Sequence, residues 1–258
     1  MGHREDKLTR KRPIVKVRLD VLLVERGLAQ SRERASALIL SGVVLVNGQP
    51  AQKAGTPVPD DADVTLKQPD HPYVGRGGLK LAHALDVFGI AVGGREALDI
   101  GASTGGFTDV LLKRGATRVV AFDVGHGQLD WGLRNDPRVF VIERANARDL
   151  ALPHLPGPVD IVTIDVSFIS LRHIFPRVPS LLRDGADVVA LVKPQFEAGR
   201  REVGKKGVIR DPLVQERVVE EATRAATEVG LIRQHMTESP ITGDTGNREF
   251  FLHLRGTH

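Results

Sequence analysis

The stretch Leu98-Asp99-Ile100-Gly101-Ala102-Ser103-Thr104-Gly105-Gly106-Phe107 decides how the rest of the chain is organised. A short apolar run ends here in small residues, and an amphipathic run that contains Val110 and Leu111 follows at once. This order predicts a strand, a tight glycine turn and a helix. Glycines in such a turn let a ligand approach bare backbone, and the start of the helix offers free N–H groups. The stretch therefore predicts a site for a nucleotide-like ligand.

Asp123, at the end of the next predicted strand, favours a ligand that carries a ribose. It lies roughly twenty residues after Gly101, where dinucleotide-binding folds place the carboxylate that binds ribose hydroxyls. The glycines are spaced Gly-x-x-x-Gly-Gly without a basic residue in the turn, so a pyrophosphate would find few partners. A ribose joined to a zwitterionic amino-acid tail fits better. We therefore expect S-adenosylmethionine as the cofactor, bound by the turn, Asp123 and Val124, with Asp165 close to the transferable methyl group.

Composition bounds the class of protein. With 258 residues, 41% hydrophobic and 26% charged, the chain fits one large soluble domain or two. It has no apolar run long enough for a membrane span and no signal-peptide core, so we expect a cytoplasmic protein without membrane contact. The formal charge of +4 favours a polyanionic partner. The absence of cysteine excludes disulfides, iron–sulfur clusters and cysteine zinc sites, and the histidine spacing indicates no metal site.

Residues 1–17 are rich in lysine and arginine and predict a flexible tail. Such a tail is either solvated or becomes ordered on contact with phosphate.

Residues 18–66 predict a small α+β domain. Ser31 is placed to cap the second of two helices, and Asn47-Gly48 predicts a tight hairpin turn. From Arg18 to Gly48 the segment resembles the α-L RNA-binding domain of the ribosomal small-subunit protein four family. The resemblance implies that Arg18, Arg32 and Arg34 face RNA; the alternative is that they are solvated helix arginines. Residues 1–72 contain no Phe, Trp or Tyr, so we expect recognition of phosphate geometry and RNA shape.

The rest of the sequence predicts a linker, residues 67–75, and an α/β domain, residues 76–258. Alternating strands and helices predict a Rossmann-like, mostly parallel central sheet, and the last two predicted strands add an antiparallel terminal strand. On the opening helix, periodicity alone puts Lys80 on the solvated face. Asn146 and Ala147 follow the third strand, where Asn146 either holds an adenine or forms a turn.

Charged residues follow two buried strands. Asp165 ends the fourth strand, and Lys193 follows five apolar residues at the end of the fifth. In open α/β sheets these strand ends carry the chemistry. We expect Lys193 to act as a base on a hydroxyl, with Asp165 beside it and Lys80 and Glu249 completing the set. The alternative is two ordinary ion pairs.

A glycine- and charge-rich loop, residues 195–211, follows Lys193. It is either a lid over the substrate or a solvated loop. Together with the N-terminal arginines, the basic residues expected to contact RNA are Arg76, Arg200, Arg201, Lys205 and Lys206.

Five segments give the chain after the tail a specific resemblance to the TlyA (haemolysin A) family of ribosomal RNA 2′-O-methyltransferases, and its catalytic part resembles FtsJ-type methyltransferases. The segments are Gly75-Arg76-Gly77-Gly78-Leu79-Lys80, Gly101 to Phe107, Asp165-Val166-Ser167-Phe168-Ile169-Ser170, Leu191-Val192-Lys193-Pro194-Gln195-Phe196-Glu197 and Gly246-Asn247-Arg248-Glu249-Phe250-Phe251.

The resemblance implies a class I methyltransferase fold and a catalytic tetrad on Lys80, Asp165, Lys193 and Glu249. It also implies S-adenosylmethionine as cofactor, ribosomal RNA in ribosomal subunits as partner, and 2′-O-methylation of cytidine. His126 departs from the family pattern, where Tyr or Thr is more usual. Competing interpretations are a pore-forming haemolysin, a pseudouridine synthase and a non-catalytic ribosome-binding protein.

Overall fold

The computed structural model describes residues 15–29, 31–67, 71–199, 202–204 and 207–256. The chain divides into two compact units, Met1–Pro72 and Tyr73–His258. Two expected boundaries need correction. Lys16 and Val17, expected in the tail, lie in a strand because they pair with Val58 and its neighbours. Tyr73 and Val74, expected in the linker, pack against the core of the second unit, since both carry apolar surface. Residues 1–14 of the expected tail lie outside the described residues.

The first unit packs two helices against short strands. Its elements are β1 (Lys16–Arg18), α1 (Leu19–Glu25), α2 (Arg32–Leu40), β2 (Val44–Val46), β3 (Gln49–Pro50), β4 (Pro57–Pro59) and β5 (Val64–Leu66). Strand β1 pairs antiparallel with β4, and the other three form an antiparallel sheet in the order β3-β2-β5. Ser31 caps α2, its side chain accepting a hydrogen bond from the Arg34 N–H at 3.2 Å. Leu19, Leu23 and Ile39 are fully buried in the core.

The second unit is an α/β domain around a seven-stranded sheet. Its helices are α3 (Gly77–Phe88), α4 (Gly106–Lys113), α5 (Trp131–Arg134), α6 (Pro194–Glu197) and α7 (Pro212–Thr227). Its strands are β6 (Glu96–Ile100), β7 (Arg118–Phe122), β8 (Val139–Ile142), β9 (Val159–Ile164), β10 (Leu182–Val192), β11 (Leu231–Glu238) and β12 (Phe250–Gly256).

The sheet has the order β11-β12-β10-β9-β6-β7-β8. Strands β6 to β10 pair in parallel, whereas β12 runs antiparallel to β10 and to β11. This confirms the predicted Rossmann-like architecture with an antiparallel terminal strand. The strand order reverses at β6. The chain first adds β7 and β8 on one side of β6 and then returns to add β9 and β10 on its other side. In open α/β sheets, ligands bind at the carboxyl edge of the strands at such a switch point.

Both faces of the sheet are covered, which explains why its central strands are almost entirely apolar. One core cluster joins the sheet to α3 and α4 through residues such as Leu81, Phe107 and Leu111. The other joins it to α7 and the short turns after β9 through residues such as Ile174 and Val219. Across the described ranges, no helix has the length and apolar character to cross a membrane.

Candidate active site

The glycine turn between β6 and α4 is shaped by close backbone approach. Gly101 has φ +90°, and a Cβ atom built there would lie 2.3 Å from the carbonyl oxygen of Asp165. Gly105 has φ +98°, and a Cβ atom there would lie 2.3 Å from Leu133 Cδ1. Both positions therefore require glycine, because any other residue adds strain and a clash. The turn presents bare backbone at the switch point, as predicted from the spacing of its small residues.

Asp123, directly after β7, is tied to this turn. Its Oδ2 accepts a hydrogen bond from the Ser103 N–H at 2.8 Å, and its Oδ1 accepts one from the Gly125 N–H at 2.6 Å. Each carboxylate oxygen retains a further lone pair for a donor such as a sugar hydroxyl. Val124 follows on the surface, 71% exposed.

Asn146 lies elsewhere. Its side-chain oxygen accepts from the Arg148 N–H at 3.0 Å and caps the 3₁₀ turn that starts at Ala147. It lines a second open cavity of about 640 Å³, beside Phe140 and Asp149. The structure thus gives Asn146 the turn-forming role, and a contact of Asn146 or Ala147 with an adenine stays a prediction.

The four predicted catalytic residues line one cavity of about 740 Å³ together with the glycine turn. Lys193 Nζ lies 2.5 Å from Asp165 Oδ1 and donates a hydrogen bond to Ser167 Oγ at 3.0 Å. Lys80 Nζ lies 2.6 Å from Glu249 Oε2. Both lysine side chains are only 11% exposed, so the topology brings two partly buried ion pairs to the carboxyl edge of the sheet.

The expectation from periodicity that Lys80 is solvated is wrong. Lys80 lies one turn before Ala84 on α3, and its ammonium is covered because it reaches Glu249, which is 2% exposed at the start of the terminal hairpin strand. A helix-face argument misses this because the covering residue comes from the far end of the chain.

The sequence analysis did not identify an aromatic pair, Phe168 and Phe196, that lines the same cavity. Phe168 is 90% exposed and has φ +64°, in the left-handed region that non-glycine residues rarely adopt. Its ring centroid lies 5.0 Å from that of Phe196, and Lys193 Nζ lies 6.0 Å from the Phe196 centroid. The available signal was an aromatic residue directly after an acid-ended strand. Strained, exposed residues of this kind cluster at functional sites.

A buried acid, Asp99, lies on the strand that leads into the glycine turn. Asp99 on β6 is fully buried and accepts hydrogen bonds from Thr108 Oγ1 at 2.7 Å and Thr163 Oγ1 at 3.0 Å. These contacts join the strand before the turn to α4 and to β9. Burial raises the pKa of Asp99 to about 7, because desolvation disfavours the charged form.

Two of the three predicted RNA-facing arginines of the first unit, Arg18 and Arg32, contact a buried carboxylate. Arg18 and Arg32 lie 2.8 Å and 3.1 Å from Asp20 Oδ2, and the Asp20 side chain is 4% exposed. The hydrogen bond from Arg18 lowers the pKa of Asp20 to about 2. Arg34 donates to the His71 carbonyl oxygen at 3.1 Å. Asp20 therefore fixes two guanidinium groups that remain more than half exposed.

The other predicted RNA contacts belong to the second unit. Arg76 lines the active-site cavity and pairs with Asp244 at 3.0 Å. The remaining four, Arg200, Arg201, Lys205 and Lys206, lie outside the described residues. Within the part of the chain that the structure describes, no group of acidic or histidine side chains is arranged to hold a metal ion.

Comparison with known proteins agrees with this geometry. The FtsJ-like methyltransferase profile matches residues 73–256, and the S4 domain profile matches residues 17–64. The chain is 50% identical over 241 residues to a Mycobacterium tuberculosis protein named 16S/23S rRNA (cytidine-2′-O)-methyltransferase TlyA, covering 93% of this chain and 90% of that protein. It is 42% identical over 239 residues to Hemolysin A of Brachyspira hyodysenteriae, covering 92% and 99%.

A solved structure of a candidate hemolysin from Streptococcus thermophilus has the same fold. The TM-score is 0.74 at 44% identity, and the match covers 95% of this chain and 90% of that one. The comparisons thus account for the two units and for their order in the chain. The chain belongs to the FtsJ-like methyltransferase family and, within it, to the TlyA family, in which an S4 domain precedes the methyltransferase domain.

Proposed function

We propose that this protein methylates the 2′-hydroxyl of a cytidine ribose in ribosomal RNA, with S-adenosylmethionine as the methyl donor. The observation that carries the proposal is the ion pair of Lys193 with Asp165 beside the glycine turn, in a cavity that also holds the Lys80–Glu249 pair. The choice of cytidine and of ribosomal RNA is supported by the name of the M. tuberculosis relative.

The turn fits this cofactor. Gly101 lines the cavity and lets the turn pack against the Asp165 backbone, and Asp123 offers carboxylate lone pairs to ribose hydroxyls at the edge of the same turn. The residues that would hold it are the backbone from Gly101 to Phe107, with Asp123 at the ribose. When bound, S-adenosylmethionine supplies an electrophilic methyl group on a sulfonium sulfur.

Lys193 would activate the substrate hydroxyl. A ribose hydroxyl is a weak nucleophile at neutral pH and needs orientation or removal of its proton. Ser167 accepts a hydrogen bond from Lys193, and the ion pair with Asp165 holds the Nζ atom at the cavity wall. From there Nζ would orient the 2′-hydroxyl. To act as the base, the Lys193 ammonium must first give a proton to solvent, after which Nζ would receive the hydroxyl proton. Because the attack is in line, correct placement supplies much of the rate.

The aromatic pair would hold the target nucleotide. Phe168 presents an exposed ring at the cavity, supported by Phe196. Any of the four nucleobases can stack on such a ring. The pair could therefore hold a single nucleotide that is unstacked from folded RNA. The first unit would supply the anchoring contacts. Arg18 and Arg32 pair with Asp20 but remain more than half exposed, so they can also contact phosphate. We propose the cytoplasm as the location of the protein, because the proposed substrate is ribosomal RNA.

The test is to map 2′-O-methyl groups on ribosomal RNA from cells with and without the gene. We expect at least one cytidine methylation to disappear in the deletion strain and to return when the gene is restored. Identical maps contradict the proposal. Because one relative is named Hemolysin A, a liposome-leakage assay on the same preparation separates methyl transfer from membrane damage.

A further inference from the structure

The segments that follow β9 and β10 are joined at two points. Lys193, at the start of α6, reaches Asp165 and Ser167 in the segment 165–171. Glu197, at the other end of this four-residue helix, reaches the same segment further along the chain. The second junction does not line the cavity, whereas the first does.

Glu197 makes two hydrogen bonds to this segment. Its Oε2 accepts from Ser170 Oγ at 2.6 Å, and its Oε1 accepts from the Leu171 N–H at 2.9 Å. Both carboxylate oxygens are therefore used, and one partner is a main-chain group that fixes the path of the backbone. Bonds to a carboxylate are about twice as strong as neutral ones. Burial raises the pKa of Glu197, because little water reaches its carboxyl group to stabilise the charged form.

The segment that Glu197 holds needs such support. Phe168 lies in its middle with φ +64°, a conformation that strains the backbone of a non-glycine residue. Strained backbone persists only where the surroundings over-determine it. Asp165 anchors one end of the segment through β9, and Glu197 fixes the other end at Ser170 and Leu171.

We propose that Glu197 is a positioning residue for methyl transfer: it clamps the segment 165–171 to α6 so that Asp165 and Ser167 stay in register with Lys193 and Phe168 stays at the cavity. This inference rests on the proposed function, because its kinetic consequence concerns the same reaction. Loss of the clamp frees the part of the segment that carries Ser167 and Phe168, whereas the Asp165 backbone stays held against Ile100 and Gly101. The chemical step should therefore suffer more than cofactor binding.

The experiment compares Glu197→Gln and Ser170→Ala with Glu220→Gln as the matched control. Gln keeps the size of Glu197 but offers one acceptor where two are needed, and Ser170→Ala removes one of the two bonds. Glu220 is an exposed acid on α7 that pairs with Arg233. The measurements are kcat and KM for RNA, the Kd for S-adenosylmethionine by calorimetry, and hydrogen exchange in a peptide that covers 165–171.

We expect kcat to fall about tenfold or more in Glu197→Gln and less in Ser170→Ala, because small displacements of catalytic groups are costly. Exchange in the 165–171 peptide should rise, while cofactor Kd and the Glu220→Gln enzyme match the wild type. Unchanged kcat, or equal losses in kcat, cofactor affinity and global stability, overturns the proposal. If Glu197→Gln does not fold, Ser170→Ala decides. Failure of the proposed function gives a different result, because the wild-type protein would then transfer no methyl group. The hydrogen-exchange data would still test whether Glu197 holds the segment.

Discussion

Lys80 on α3 and Glu249 before β12 form an ion pair with Nζ and Oε2 2.6 Å apart, although 169 positions separate them in the chain. The terminal hairpin thus closes the active site against the helix that opens the second unit. The hairpin turn is adapted to this contact, because a Cβ atom on Gly243 would lie 2.4 Å from Glu249 Oε1.

Removing one partner of this pair should destabilise the protein more than removing both. In Lys80→Ala the Glu249 carboxylate, 2% exposed, is left unpaired, and breaking a buried pair in this way costs about 3–5 kcal/mol. We expect the double change Lys80→Met with Glu249→Leu to recover much of the free energy of unfolding but no methyl transfer. Urea unfolding and a methyl-incorporation assay give the two answers. A double variant as unstable as the single one would contradict the ion-pair argument.

Lys193→Ala should abolish methyl transfer and leave cofactor affinity nearly unchanged. Loss of a general base lowers the rate by about 10²–10⁴-fold, whereas the turn from Gly101 to Phe107 does not depend on Lys193 for its shape. Single-turnover methylation and calorimetry with S-adenosylmethionine measure the two quantities. Lys113→Ala, which removes a half-exposed lysine from α4, serves as the control. Full activity in Lys193→Ala would show that the base is wrongly assigned.

The sequence predicted the parts of this fold that depend on local pattern. Ser31 caps α2 as expected. The glycine turn was placed correctly because its small residues follow a buried strand. The depth of Lys80 and the coverage of Glu249 could not be derived from periodicity, since each is buried by a residue from the other end of the domain.

The same limit applies to Phe168. An aromatic residue shortly after Asp165 is as compatible with a core side chain as with an exposed one, so the 90% exposure of Phe168 and its φ of +64° could not be derived from the sequence. Strand order and tertiary hydrogen bonds decide this, not local propensity.

The double change Arg32→Ala with Arg34→Ala should weaken RNA binding and flatten its salt dependence. Each lost phosphate contact reduces the slope of log K against log salt by about 1. Binding of ribosomal RNA at several salt concentrations measures this slope. Arg217→Ala on α7, where the guanidinium pairs with Glu202 and Glu221, controls for the loss of charge. An unchanged slope would count against the first unit as the RNA anchor.

Asp99→Asn should change how stability depends on pH. An unfolded Asp titrates near pH 3.9, whereas in the folded chain the pKa of Asp99 is raised to about 7. Between these values the folded state holds a proton that the unfolded state has lost, so the contribution of Asp99 is full below about pH 4 and falls as the pH rises to about 7.

The Asn variant keeps a neutral side chain that can still pair with the Thr108 and Thr163 hydroxyls. We expect the stability of the variant to lack this fall with pH, and the variant to exceed the wild type at pH 8 by about 4 kcal/mol. Urea unfolding of both proteins from pH 4 to 8 provides the comparison. Parallel curves would show that Asp99 keeps an ordinary carboxyl titration.

Gly101→Ala should lose cofactor binding, and Gly89→Ala should not. Both glycines have positive φ, +90° and +65°, so both variants carry backbone strain. They differ in space, because a Cβ atom at Gly101 meets the Asp165 carbonyl oxygen at 2.3 Å, whereas one at Gly89 meets nothing within 4 Å. The clash displaces the turn, and a penalty of about 1.4 kcal/mol or more lowers affinity tenfold or more. Calorimetry with S-adenosylmethionine measures both affinities, and wild-type heats from Gly101→Ala would place the cofactor somewhere other than this turn.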